Sequence, residues 1–177
     1  MNKQPIAYND LVHLVNKICR EILISNWKPD YIVGITRGGL IPAVMISQYL
    51  NVPMNALNVS LRDGTECESN LWMAEDAFGH LVYDPMASGN GQKKILIVDD
   101  INDTGATLDW IIQDWPSGCF PDDERWKEVW NNNVKFAVLV DNLASKCSVK
   151  MDFVGMEVNK AEKDVWIDYP WEDWWAK

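Results

Sequence analysis

Ile95-Leu96-Ile97-Val98-Asp99-Asp100-Ile101-Asn102-Asp103-Thr104-Gly105-Ala106-Thr107 is the stretch on which the fold of this chain turns. Four apolar residues, three of them β-branched, predict a buried strand over 95–98. The strand delivers two adjacent carboxylates, Asp99 and Asp100, at its C-terminal end. In open α/β sheets, ligands bind beyond that edge. From Thr104 to about Trp115 the pattern is helical, so the chain passes directly into a helix N-terminus. Backbone N–H groups point outward there and form a ready anion site. Gly105 lets the backbone approach a ligand, and Thr104 and Thr107 add hydroxyl donors.

One short stretch therefore offers a phosphate cradle beside a pair of acids, and a sugar phosphate needs both. The cradle takes the phosphate, and the carboxylates accept hydrogen bonds from vicinal hydroxyls. The same acids suit Mg²⁺, a hard cation that prefers oxygen ligands. Asp103 and Thr104 also read as ordinary helix caps. Caps leave two further acids abutting a buried strand unexplained, where unpaired charge is costly.

Working outward, apolar residues at Leu11, Val12, Leu14, Val15, Ile18, Ile22 and Leu23 predict a helix capped by Asn9 or Asp10 and broken at Lys28-Pro29-Asp30. Tyr31 to Ile35 reads as a buried strand, and Gly38-Gly39 opens a helix to about Leu50. Further strands are expected at Asn55–Val59, Phe136–Val140 and Phe153–Val158. Residues 60–92 lack clear periodicity and carry six acids against one base, Arg62, so a long loop or flap over a site is expected. Residues 116–133 read as an irregular, Trp- and Asn-rich connection. Together the order predicts one α/β domain over 1–177, with a mainly parallel, doubly wound sheet and helices on both faces.

The bulk properties fit a single domain of this kind. Of 177 residues, 47% are apolar, enough for one continuous core. With 26 acids against 16 bases and no basic stripe, nucleic acid is not expected as a partner. No stretch approaches the roughly 18 apolar residues of a membrane span. Cysteines at 19, 67, 119 and 147 have no zinc spacing and are expected free, as in a reducing cytosol. A cytoplasmic protein is the expectation. Of the ten tryptophans, all but Trp166 are expected to pack in the core or an interface.

Residues 95–107 resemble the phosphoribosyl pyrophosphate (PRPP) signature of type I phosphoribosyltransferases: hydrophobics, two acids, two spacers, then Asp-Thr-Gly-x-Thr. Ile35-Thr36-Arg37-Gly38-Gly39-Leu40 resembles the pyrophosphate loop of that family. Asp164 to Glu172, with Trp166-Ile167 followed by Pro170-Trp171, resembles the C-terminal hood of the bacterial xanthine-guanine enzymes. The resemblance implies the type I fold, with a flap about 60–92 and a hood about 153–177. It implies a Mg²⁺-dependent transfer of ribose 5-phosphate from PRPP to a nucleobase, a purine by the hood. Arg37, Gly38 and Gly39 would then serve the diphosphate, and Asp99 and Asp100 the ribose and the metal. Thr104, Gly105, Ala106 and Thr107 would cradle the 5′-phosphate, Asp103 would face a ring nitrogen, and Trp166 and Ile167 would hold the base. A homo-oligomer, dimer or tetramer, is implied as well.

Two positions depart from that pattern. Where the purine enzymes carry a Lys that donates to an exocyclic oxygen, this chain has Asp141, or Asn142 with a shift of one. A carboxylate accepts and does not donate, so a base bearing an amino group, a pyrimidine among them, stays open, with Asp141 as its partner. Lys146 is a candidate substitute donor. The flap is acidic where the family brings bases, and Arg62 alone is placed to help in catalysis. The competing reading is a PRPP- or nucleotide-binding regulator with little catalysis.

Overall fold

The computed structural model describes residues 2–61, 66, 67, 70–79 and 91–176. In chain order the elements are β1 (Asn2–Pro5), α1 (Tyr8–Ile24), β2 (Tyr31–Ile35), α2 (Leu40–Leu50), β3 (Met54–Leu57), β4 (Val59–Ser60), β5 (Glu66–Cys67), α3 (Leu71–Phe78), β6 (Ile95–Asn102), α4 (Ala106–Gly118), β7 (Val134–Asn142), β8 (Phe153–Val158) and β9 (Val165–Asp168). Five strands pair in the order β3-β2-β6-β7-β8, all parallel, and form the central sheet.

Strand periodicity sorts the core into two layers. Ile32, Leu96, Val98 and Leu139 face α1 and α2, where Leu11, Val15, Ile18 and Ile46 meet them. Val33, Ile35, Ile97 and Phe136 face the opposite way, onto Met73 and Ala77 of α3 and Leu108, Ile111 and Trp115 of α4. Each fully buried Leu, Ile or Phe side chain contributes roughly 1.5–3 kcal/mol. The doubly wound, mainly parallel α/β sheet expected from the sequence is the one observed, and its ligand edge lies at the C-terminal ends of β2 and β6.

Several boundaries differ from expectation. β6 runs on to Asn102, because the nine-residue β7 offers partners: Asp99 pairs with Val138, Ile101 with Val140 and Asn102 with Asp141. The twin acids thus sit within the strand. Asn55–Val59 divides into β3, which joins the main sheet, and β4, which pairs antiparallel with β5. Within 60–92, expected as loop throughout, residues Leu71–Phe78 are a helix whose Met73, Ala74, Ala77 and Phe78 are buried. One of its acids is pinned structurally: the Asp76 carboxylate meets Lys93 Nζ at 3.0 Å. α4 extends through Pro116 to Gly118, and a 3₁₀ turn at Glu124–Glu128 breaks the irregular stretch that follows. Trp126 anchors that turn. It is 5% exposed, its indole N–H donates to the Cys119 carbonyl at 2.9 Å, and its ring stacks on Trp130 and meets Phe78 at a tilt.

Outside the central sheet, β1 pairs parallel with β9, setting Lys3 opposite Trp166 and Gln4 opposite Ile167. Of the stretch 153–177, Phe153–Val158 belongs to the central sheet, and this two-stranded ribbon forms the separate part. Trp174 and Trp175 are 68% and 71% exposed and so stand outside the core, unlike Trp115 and Trp126. Among the described residues no helix is long and apolar enough to cross a membrane.

Candidate active site

An open cavity of about 1240 Å³ lies at the C-terminal edge of the sheet. Its floor is the end of β6, one wall is the turn after β2, another the turn into α4, and the roof comes from β9 and the residues after it. Arg37, Gly38, Asp99, Asp100, Asp103, Thr104, Gly105, Ala106, Thr107, Trp166 and Ile167 all line it. Residues far apart in the chain, read separately as ligand contacts, therefore converge on one space. Gly39 sits just behind, buried against the Val98 carbonyl. Asp141 is not among the lining residues. Its Oδ1 accepts from Asn102 Nδ2 at 2.8 Å, which holds the side chain at the β6–β7 edge. Lys146 is exposed and also off the cavity, while its backbone N–H donates to the Thr104 carbonyl. Arg62 falls outside the described residues.

Close backbone approach shapes both phosphate-sized walls. A Cβ at Gly38 would stand 2.1 Å from Asp100 Oδ2, so the turn after β2 lies directly on that carboxylate. Gly105 has φ of 91°, the left-handed region, and a Cβ there would stand 2.4 Å from the Cys147 backbone nitrogen. That turn delays the helix, which begins at Ala106 instead of Thr104. The cradle is thus a turn followed by the first helical residues. Thr104 Oγ1 accepts from the Ala106 N–H at 3.3 Å, a long bond. Asp99 and Asp100 each accept from the next backbone N–H, at 2.9 Å in both cases, which fixes the two carboxylates at the floor.

Electrostatics in this space are dominated by acids. Burial pushes the Tyr169 hydroxyl far above its ordinary range, and the carboxylates of Asp100, Asp99, Glu172 and Asp103 push it the same way. Burial likewise raises the Glu172 carboxyl; a hydrogen bond from the Trp166 side chain opposes the shift, and the nearby Asp100 adds to it. Among the described lining residues the cations are Lys3, Arg37 and Lys160.

Four contacts are not expected from the sequence, in which Asn142 enters only as an alternative to Asp141 for meeting the base. Lys160 lies in a polar turn between β8 and β9, yet its Nζ stands 2.9 Å from Asp103 Oδ1. Asn142, buried at the end of β7, donates to the Asp103 carbonyl at 2.8 Å. Tyr169 donates to the Asp100 carbonyl, and Lys3 enters through the β1–β9 pairing. Only tertiary structure brings these four to the site.

Comparison with known proteins agrees with this geometry. The family model for the phosphoribosyl transferase domain matches residues 2–173. Xanthine phosphoribosyltransferase 1 of Saccharomyces cerevisiae is 31% identical over 126 residues, which cover 62% of this chain and 58% of that protein's length. Hypoxanthine-guanine phosphoribosyltransferase of Schizosaccharomyces pombe is 25% identical over 194 residues, covering 94% of this chain and 87% of the relative. The crystal structure of purine phosphoribosyltransferase from Pyrococcus horikoshii superposes with a TM-score of 0.64 at 23% identity, over 98% of this chain and 96% of that one.

Proposed function

This chain belongs to the phosphoribosyl transferase family, and from that premise we propose that it transfers ribose 5-phosphate from PRPP to a purine base, releasing pyrophosphate. One observation supports this most: a single cavity joins twin acids, a glycine-turned helix entrance and an aromatic roof. PRPP needs the first two, and a base needs the third.

Each residue then has a task. Arg37 and the backbone at Gly38 and Gly39 hold the diphosphate, which leaves as positive charge develops on the sugar. Asp99 and Asp100 accept hydrogen bonds from the ribose hydroxyls and fix the ring for attack. The turn and helix start at Thr104, Gly105, Ala106 and Thr107 hold the 5′-phosphate. Trp166 stacks on the base and Ile167 borders it, a platform that tolerates several bases. Asp103 accepts a proton from a ring nitrogen of the base.

The site also fits Mg²⁺. Among the described residues no three or more His, Cys, Asp or Glu form a metal cluster, so these residues alone offer no complete cage. Asp99 and Asp100 supply hard oxygen donors beside the diphosphate turn, and this suits a cation shared between carboxylates and substrate oxygens. Bound there, Mg²⁺ would neutralise charge on the leaving diphosphate and offset the acids that otherwise repel a polyanion. We assign the enzyme to the cytoplasm and expect a homo-oligomer, for which exposed Ile41, Val44 and Tyr49 on α2 offer an apolar face.

Pyrophosphate release with PRPP, Mg²⁺ and a panel of purines tests the proposal. Asp103→Asn should keep PRPP binding and lose at least about 100-fold in turnover. PRPP binding without release by the wild type, whatever the base, would sink it.

A further inference from the structure

The pairing of Lys160 with Asp103 carries an inference that rests on, and goes beyond, the proposed transfer. The two side chains are only 18% and 23% exposed, and Nζ to Oδ1 is 2.9 Å. Asn142 ties down the chain beneath both. Its Nδ2 donates to the Asp103 carbonyl at 2.8 Å, while its Oδ1 accepts from the Lys160 backbone N–H at 3.0 Å. The turn that carries Lys160 is further closed by Asn159, whose side chain accepts from Ala161 N–H and donates to Glu162.

Lysine has a flexible four-carbon stem and three donors, so its ammonium can reach an acceptor other than Asp103 while its main chain stays held by Asn142. It lines the same cavity as Trp166, next to the carboxylate assigned to the ring nitrogen. A base seated on that platform meets one acceptor and one donor side by side. We infer that Lys160 determines base specificity: its ammonium rests on Asp103 before the base arrives and passes to a carbonyl oxygen of the base, leaving Asp103 to accept the adjacent ring N–H. A base with an amino group at that place sets donor against donor and is rejected. Asp141, off the cavity and hydrogen-bonded to Asn102, plays no part in the choice.

Binding of product nucleotides reads this without turnover. Titration calorimetry with inosine and adenosine 5′-monophosphates should show the wild type preferring the oxo-nucleotide by at least about tenfold. Lys160→Met should weaken the oxo-nucleotide by at least about tenfold and the amino-nucleotide by less than about twofold. PRPP affinity should stay unchanged, and Lys160→Arg should retain the preference. A Met variant that binds both nucleotides as the wild type does overturns the inference. So does one that loses both nucleotides and PRPP alike, which marks Lys160 as structural. A wild type that fails to bind PRPP sinks the transferase reading itself. Intact PRPP binding with an unaltered Met variant sinks only the role of Lys160.

Discussion

The Tyr169 hydroxyl donates to the backbone carbonyl of Asp100 at 2.9 Å, joining the roof of the cavity to its floor. The ring is 2% exposed and stacks on Trp171 with centroids 4.6 Å apart. This bond ties the segment after β9 to β6 and so sets the spacing between Trp166, the proposed base platform, and Asp99 and Asp100, the proposed ribose partners.

Tyr169→Phe keeps the ring and removes the bond. Leaving the Asp100 carbonyl without this donor should cost about 1 kcal/mol of stability. It should also raise KM for the base more than KM for PRPP, because the roof loses its alignment. Chemical denaturation and steady-state kinetics on the two substrates check both outcomes.

Gly38→Ala and Gly105→Ala should fail differently. At Gly38 the added carbon meets the Asp100 carboxylate, the movable end of a side chain. Tm should shift by less than about 2 °C, while kcat/KM falls at least about tenfold as Asp100 is displaced. At Gly105 the obstacle is the Cys147 backbone, and φ is 91°. That variant should lose about 1–3 kcal/mol of stability. Melting curves beside activity assays separate the pair.

Metal dependence should track the floor acids. Chelation by EDTA should abolish turnover. Asp100→Asn should raise the Mg²⁺ concentration for half-maximal activity at least about fivefold, because one anionic oxygen ligand is lost. Asp103→Asn should leave that concentration nearly unchanged. A Mg²⁺ titration of each variant gives the comparison.

Alkaline pH should expose the buried thiols. Burial pushes Cys19 and Cys147 up from 9.0 to about 11. The nucleophile is the thiolate, so alkylation of either at pH 8 should run about 100-fold slower in the folded protein than in urea. The sign for stability follows: folding favours the neutral thiol, so this contribution is fully present below pH 9 and is lost as pH rises through about 11. Cys19→Ala should flatten that alkaline decline in a Tm-versus-pH series.

The parts of this fold that announce themselves in sequence are those with strong local causes. β2 and the first half of β6, Ile95 to Val98, are apolar runs, and α1 shows its buried stripe Leu11, Val15, Ile18, Ile22. The PRPP-type signature is legible because strand, acids and helix start are contiguous. β1 is different: its side chains are mostly exposed, and only the partner strand β9 makes Asn2–Pro5 extended. α3 spans just two turns, too short for periodicity to stand out, and its acids mask a buried face. Asp141 and Lys160 show the same limit at the site. Position along β7 pointed to Asp141, but Asn102 claims its carboxylate, and the cation arrives from a turn with no pattern of its own.

The ribbon of β1 and β9 joins residue 2 to residue 165 across almost the full described length. Contacts so distant in sequence require a large loop to close before they are rewarded, so they form after the local ones. The sheet and its phosphate turn can assemble while this ribbon is still apart. The roof of the cavity thus depends on the pairing that spans the most chain, while its floor and the turn into α4 belong to one contiguous stretch.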